Sequence, residues 1–142
     1  HFKDIYDLVD WIMVEDAQQA MEGRKDIDDW DKAFLDVLLK IQENKLLVLN
    51  VYRSISREKV ENYLYRITYD LLIHVINEKA KGMNVRDEDK KFLANFYKYA
   101  FVGLVLDWIK HDMKDDPNII VADLSVAIHG SVSAALERYR NA

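Results

Sequence analysis

The chain of 142 residues contains no cysteine, one proline and four glycines. Because cysteine is missing, the sequence excludes a disulfide framework, zinc or iron–sulfur sites with cysteine ligands, and thiol nucleophiles. The scarcity of proline and glycine argues against an all-β fold, which needs many tight turns. The longest uncharged apolar run, Tyr99–Leu106, is much shorter than the ~18 residues of a membrane span. The sequence therefore predicts no membrane-spanning segment.

Acidic residues outnumber basic ones by 25 to 20, which gives a formal net charge of −5. A protein that binds nucleic acid by itself normally carries a basic patch, so this balance argues against DNA binding by this chain alone. Half of the residues are hydrophobic and 11% are aromatic, which is typical of a globular chain. The length suits one domain, and we expect a single domain over residues 1–142.

Apolar residues recur at spacings of three and four along most of the chain, the pattern of amphipathic helices. Asp4 is the predicted N-cap of the first helix, and Gly23 its predicted end. Ser56 and the pair Asp116–Pro117 mark the predicted starts of two later helices. One short apolar run could suit a strand, but a lone strand would have no partner. The sequence therefore predicts an all-α bundle of five to six helices.

The last two predicted helices indicate association with a second copy of the chain. The first of them is apolar on nearly every face from Phe92 to Ile109, and the second is rich in small residues. Two such helices can bury one face in their own domain and form an intersubunit four-helix bundle with the other. A monomer with a central buried helix is the alternative. The predicted dimer-interface residues are Phe96, Tyr97, Gly103, Ala122, Ala127, His129, Val132 and Leu136.

Aromatic residues with polar tips lie among aliphatic residues in the first part of the chain. Such a wall is typical of a small-molecule pocket between helices, although ordinary core packing produces the same pattern. A histidine within an apolar stretch could line the same pocket. The predicted pocket residues are Trp11, Tyr52, Tyr65, Tyr69 and His74.

Two Asp-x-x-x-His pairs resemble parts of a metal site. Asp70 with His74, and Asp107 with His111, each place a carboxylate and an imidazole on one helix face. A metal site needs three or four converging ligands, and a hydrogen bond within each pair is the simpler interpretation. The sequence has no nucleophile elbow, phosphate loop or dinucleotide fingerprint. We expect no catalytic residue, metal or cofactor, with a small metal-binding bundle or enzyme as the alternative.

The opening residues resemble the junction that follows the recognition helix in TetR-family transcription regulators. Phe2, Lys3, Asp4 and Leu8 match that junction, whereas Ile5 stands in place of its usual lysine. A second resemblance lies near the C-terminus and involves one branch of the family, which includes the regulator of the dihydroxyacetone kinase operon. The matching segments are Phe96–Val105, Trp108–Ile109 and Asp116–Pro117.

This resemblance implies a cytoplasmic, non-enzymatic regulatory domain. Its first helices would form the effector pocket, and its last two would form the homodimer interface. Residues 1–3 would be the remnant of a junction to an absent N-terminal helix-turn-helix, through which alone the protein would contact DNA. The effector, a small molecule or a protein co-regulator, would alter the spacing of the DNA-binding helices. A helical adaptor that binds a protein partner is a further alternative.

Overall fold

The structure, a computed structural model, describes residues 4–21, 30–54 and 57–141. This part of the chain forms seven helices and no strand. The helices are α1 (Ile5–Met21), α2 (Trp30–Glu43), α3 (Lys45–Tyr52), α4 (Arg57–Lys79), α5 (Asp87–Lys110), α6 (Pro117–Ile128) and α7 (Ser131–Arg140). The all-α prediction is confirmed. The predicted junction at residues 1–3 and the predicted helix boundaries at Gly23 and Ser56 lie outside the described residues.

Two helix starts, those of α1 and α6, are capped by an aspartate side chain. The Asp7 amide donates a hydrogen bond to the Asp4 carboxylate at 3.0 Å, and the Asn118 amide donates to the Asp116 carboxylate at 2.9 Å. Both predicted N-caps are thus confirmed. The last predicted helix is divided into α6 and α7 at Gly130, whose φ of 74° lies in the left-handed region that glycine tolerates best.

Two clusters of buried side chains form the core. The first joins α1, α2 and α3 to the C-terminal half of α5 and to α6, with Leu8 and Leu38 almost fully buried. The second joins α4 to the N-terminal half of α5 and to α7, with Ile76 and Leu136 at its centre. Phe101 of α5 packs against both clusters. The long antiparallel pair α4 and α5, together with the packing of α1 against α4, connects the two groups of helices.

The turn between α5 and α6 is fixed by contacts that reach outside it. The Trp108 indole donates a hydrogen bond to the Asp115 carbonyl oxygen at 2.9 Å. Arg53, just after α3, forms an ion pair with Asp112 at 2.9 Å. Asp112 and Met113 both have positive φ, 61° and 57°, and the Met113 side chain is buried. These contacts stabilise a strained turn that directs α6 against α2.

Candidate functional site

Helices α1 to α5 surround a cavity of about 170 Å³ that lies between the two core clusters. Its α1 wall consists of Ile5, Leu8, Val9 and Ile12, which form one face of that helix. The α4 wall is a stripe of side chains spaced three and four apart, as expected for one helix face. That stripe consists of Arg57, Val60, Glu61, Leu64, Thr68, Leu71, Leu72 and Val75. The lining is therefore apolar except for a few side chains.

Three aromatic rings form a rigid part of the cavity wall. The ring centroid of Phe101 lies 5.5 Å from that of Trp30 and 5.2 Å from that of Phe34. The planes are tilted by 48° and 56°, within the range of favourable aromatic pairs. Trp30 and Phe34 are buried, which holds the rings in place. A ligand in the cavity would thus meet preformed aromatic surface.

The polar side chains of the lining are Tyr52, Arg57, Glu61 and Thr68. The Arg57 guanidinium lies 3.7 Å from the Glu61 carboxylate and 5.1 Å from the centre of the Tyr52 ring. These three groups form a partly exposed mouth at the N-terminal end of α4. Thr68 is half-buried farther along the same helix. The cavity thus has a charge-paired mouth and one hydroxyl within an otherwise apolar wall.

Of the five predicted pocket residues, the structure places only Tyr52 in this lining. Trp11 is 39% exposed and packs under the Lys40 ammonium, 5.2 Å from the ring centre. His74 is half-buried on α4, outside the cavity lining. The sequence did not identify three further lining residues, Trp30, Phe34 and Phe101. A stripe of apolar residues looks the same whether it forms a cavity wall or a filled core.

Tyr65 and Tyr69 line a separate, shallower groove between α4 and α5. The Lys98 ammonium lies there, 5.7 Å and 5.8 Å from their ring centres and 4.1 Å from that of Tyr99. Burial raises the pKa of the Tyr65 hydroxyl, and the nearby Glu61 carboxylate adds to the rise. These tyrosines therefore hold a lysine of their own chain by cation–π contacts and do not face the cavity.

The two Asp-x-x-x-His pairs are not brought into a shared metal centre. His111 Nδ1 lies 2.8 Å from the Asp107 carbonyl oxygen and 3.6 Å from its carboxylate, and both side chains are exposed. On α4, Asp70 is exposed while His74 is half-buried. Within the described residues, no three histidine, aspartate or glutamate side chains converge as metal ligands. The hydrogen bond of His111 is thus to the main-chain carbonyl of Asp107, not to its carboxylate as the simpler interpretation assumed.

The predicted dimer-interface residues divide into an inward and an outward set. Tyr97, Val132 and Leu136 are buried in the second core cluster of their own chain, and the Tyr97 hydroxyl hydrogen-bonds to that of Ser131. Phe96 is 56% exposed. The remaining members, exposed or half-exposed, are Gly103, Ala122, Ala127 and His129. Only the outward set is available to a second copy.

Large apolar side chains lie exposed on the outer faces of α5 and α6. On α6, Val126 is 90% exposed and Ile119 is 60% exposed, while Phe92 of α5 is 61% exposed. By length and composition alone, the segment Pro117–Arg140 is apolar enough to cross a membrane. Only 17% of its most apolar 18 residues are buried. The described part of the chain leaves these apolar side chains uncovered.

Helix α1 is also linked to α4 by side chains that do not line the cavity. The Tyr63 hydroxyl donates a hydrogen bond to the Asp10 carboxylate at 2.6 Å, and the Tyr6 ring meets the Tyr63 ring edge-on at 5.0 Å. The hydrogen bond to Asp10 raises the pKa of Tyr63, and desolvation adds to the rise. The first helix is therefore fixed to the cavity wall by polar and aromatic contacts.

Comparison with known proteins gives one match. The family described as the transcriptional regulator C-terminal region, of the TetR type, matches residues 28–130, almost three quarters of the chain. No curated protein and no solved structure is significantly similar to it. The match includes the α2 to α5 walls of the cavity and all of α6.

Proposed function

Because this chain belongs to the family of TetR-type transcriptional regulator C-terminal regions, we propose that it is the effector-sensing and dimerisation domain of a transcription regulator. The family points to a regulator and not to an enzyme. The observation that carries the sensing part is the apolar cavity whose walls are shared by α1 and α4. We assign the whole of residues 1–142 to this domain, with residues 1–3 as the remnant of a junction to DNA-binding helices.

Signal transmission would proceed through α1. Ile5, Leu8 and Val9 of this helix line the cavity, so an effector there contacts the segment nearest the proposed junction. An effector that binds more tightly to one position of α1 than to another shifts the equilibrium between the two. Dimeric regulators bind half-sites about one DNA turn apart, so a shift of α1 in both subunits would change how well the two DNA-binding units fit.

Dimerisation would involve the outer faces of α5 and α6. The support is the exposed apolar surface that includes Phe96, Ile119, Ala122 and Val126. Two copies related by a two-fold axis would each contribute α5 and the α6–α7 segment, giving the intersubunit four-helix bundle that the sequence predicts. A regulator of this kind would work in the cytoplasm, and DNA contact would require the separate N-terminal unit.

We also propose membership of the branch that includes the regulator of the dihydroxyacetone kinase operon. The support is the sequence of α5 from Phe96 to Val105 and its Asp116–Pro117 exit. In that branch the signal comes through a partner protein, so a protein co-regulator is an alternative effector.

Sedimentation equilibrium of a Val126→Glu variant tests the dimer. Val126 is 90% exposed in the single chain, so the substitution leaves the monomer fold intact. In a dimer it would bury two unpaired carboxylates, which costs several kcal/mol and raises the dimer dissociation constant by about two orders of magnitude or more. Leu46→Glu is the matched control, since Leu46 is 80% exposed on α3.

We expect the unmodified chain and the Leu46→Glu variant to be dimers, and the Val126→Glu variant to be a monomer with unchanged helical circular dichroism. A Val126→Glu variant that stays dimeric would refute the assignment of this face. An unmodified chain that is monomeric at all concentrations would contradict the dimer itself and would favour a helical adaptor with an exposed apolar patch.

A further inference from the structure

We infer that the cavity binds a neutral, ring-sized apolar molecule with one hydrogen-bonding group, of the class of simple phenols. This inference rests on the proposed sensing function and specifies its ligand. Three features of the cavity carry it: its volume, the pairing of its charges and the position of one hydroxyl.

The volume sets the size of the ligand. The cavity measures about 170 Å³. A cavity of roughly 150 Å³ lined by leucine, isoleucine and phenylalanine is enough to hold a benzene molecule. One six-membered ring with a single small substituent therefore fits, whereas a fused polycyclic molecule would require the helices to move apart. The tilted rings of Trp30, Phe34 and Phe101 offer surface for an aromatic ligand.

The charged side chains of the lining are paired with each other and disfavour an ionic ligand. Arg57 and Glu61 are the charged members of the lining, and they face each other at 3.7 Å. An anionic ligand could pair with Arg57 only by competing with Glu61, and a cationic ligand could pair with Glu61 only by competing with Arg57. Deeper in the cavity an ion would lose its hydration without a compensating partner. The lining therefore selects a neutral molecule.

The Thr68 hydroxyl indicates which polar group the ligand carries. Thr68 lies on the lining face of α4, about one helical turn from Leu64 and from Leu72. None of the hydrogen bonds found among the described residues involves its side chain, and no buried polar side-chain atom among them is left unsatisfied. The hydroxyl oxygen of this lining residue is therefore not fully buried and keeps unused hydrogen-bonding capacity. A ligand hydroxyl can both donate to it and accept from it, which favours a phenol over a pure hydrocarbon.

Titration calorimetry of the chain with phenol, toluene and benzoate tests this inference. The three probes share one ring and differ in polarity and charge. Burial of six ring carbons supports dissociation constants below about 1 mM for the two neutral probes. We expect phenol and toluene to bind with similar affinity, because the one hydrogen bond of phenol offsets the additional buried methyl group of toluene. Benzoate should bind at least about tenfold more weakly than phenol.

Two variants locate the binding. Thr68→Val keeps the shape of the side chain but removes the hydroxyl. The dissociation constant of phenol should therefore rise about fivefold, while that of toluene stays unchanged. Ala33→Leu adds three carbons to a cavity-lining position of α2, and both neutral probes should then fail to bind. Ala100→Leu is its matched control, because Ala100 is a half-buried alanine that does not line the cavity.

The possible results distinguish a failure of the ligand assignment from a failure of the proposed regulatory function. Benzoate binding more tightly than phenol, unchanged phenol binding in Thr68→Val, or unchanged probe binding in Ala33→Leu would each overturn the inference. So would a chain that sediments as a dimer but binds neither neutral probe, although its proposed regulatory function would stand. Ring binding by a monomeric chain would support the ligand class while contradicting the proposed dimer.

Discussion

The contact between Asp10 and Tyr63 offers a quantitative test of how firmly α1 is fixed to the cavity wall. Its two oxygen atoms are 2.6 Å apart, a length typical of a hydroxyl that donates to a charged carboxylate. Hydrogen bonds to charged groups contribute about 1.5 to 3 kcal/mol when buried. This bond is exposed to solvent, which lowers the expected value to about 1 kcal/mol. A change of that size shifts the melting temperature of a domain of this length by about 2 to 4 °C.

A double-mutant cycle isolates this energy. The variants are Tyr63→Phe, Asp10→Ala and the two combined, and urea denaturation gives the free energy of unfolding of each. Tyr63→Phe keeps a ring against Tyr6, so the edge-on contact is retained as an internal control. We expect a coupling energy of about 1 kcal/mol. A coupling below about 0.3 kcal/mol, the range in which independent sites are additive, would refute the stabilising contact.

The pH dependence of the same coupling has a definite sign. The pKa of Tyr63 is raised in the folded chain, chiefly by its hydrogen bond to Asp10. A raised pKa means that folding favours the protonated hydroxyl, so the stabilisation is complete below the unfolded value of about 10. It is lost as the pH rises through the higher folded value. The cycle should therefore give the same coupling throughout the neutral range, and a loss near neutral pH would contradict the assignment.

Two further substitutions test the core and the caps, both measured by urea denaturation of the Val126→Glu background so that dimerisation does not contribute. Leu136→Ala should lower the free energy of unfolding by about 2 to 5 kcal/mol, since Leu136 is only 1% exposed within its own chain. A loss under about 1 kcal/mol would show that Leu136 is not a core residue and would assign it to the interface. Asp116→Ala removes the hydrogen bond from the Asn118 amide and should lower the free energy of unfolding by about 1 kcal/mol. An unchanged free energy of unfolding would show that this cap does not stabilise the chain.

The local structure of the chain was largely predictable from sequence. Spacings of three and four predict helices because 3.6 residues complete a turn. Asp4 and Asp116 predict helix starts because their carboxylates accept hydrogen bonds from amides that lack helical partners. These signals act within a few residues and need no tertiary contact. The division at Gly130 was not foreseen, although glycine tolerates the positive φ found there.

Which residues line the cavity was not predictable in the same way. Of the predicted pocket residues, Tyr52 lies in the lining, whereas Tyr65 and Tyr69 face a different groove and contact Lys98. Phe101, which the sequence offers only as part of a long apolar helix, lies between the two core clusters. Periodicity indicates which residues share a helix face. The angle and position at which two helices cross determine which faces contact each other.

The outer surface shows the same division between sequence and tertiary structure. The amino-acid composition of α5 and of the α6–α7 segment shows that these helices carry more apolar residues than one buried face requires. Their packing buries Tyr97 and Val132 within the chain and leaves Val126 90% exposed. Composition sets how much apolar surface must be covered, whereas the direction of α7 after Gly130 sets which residues the chain covers with its own helices.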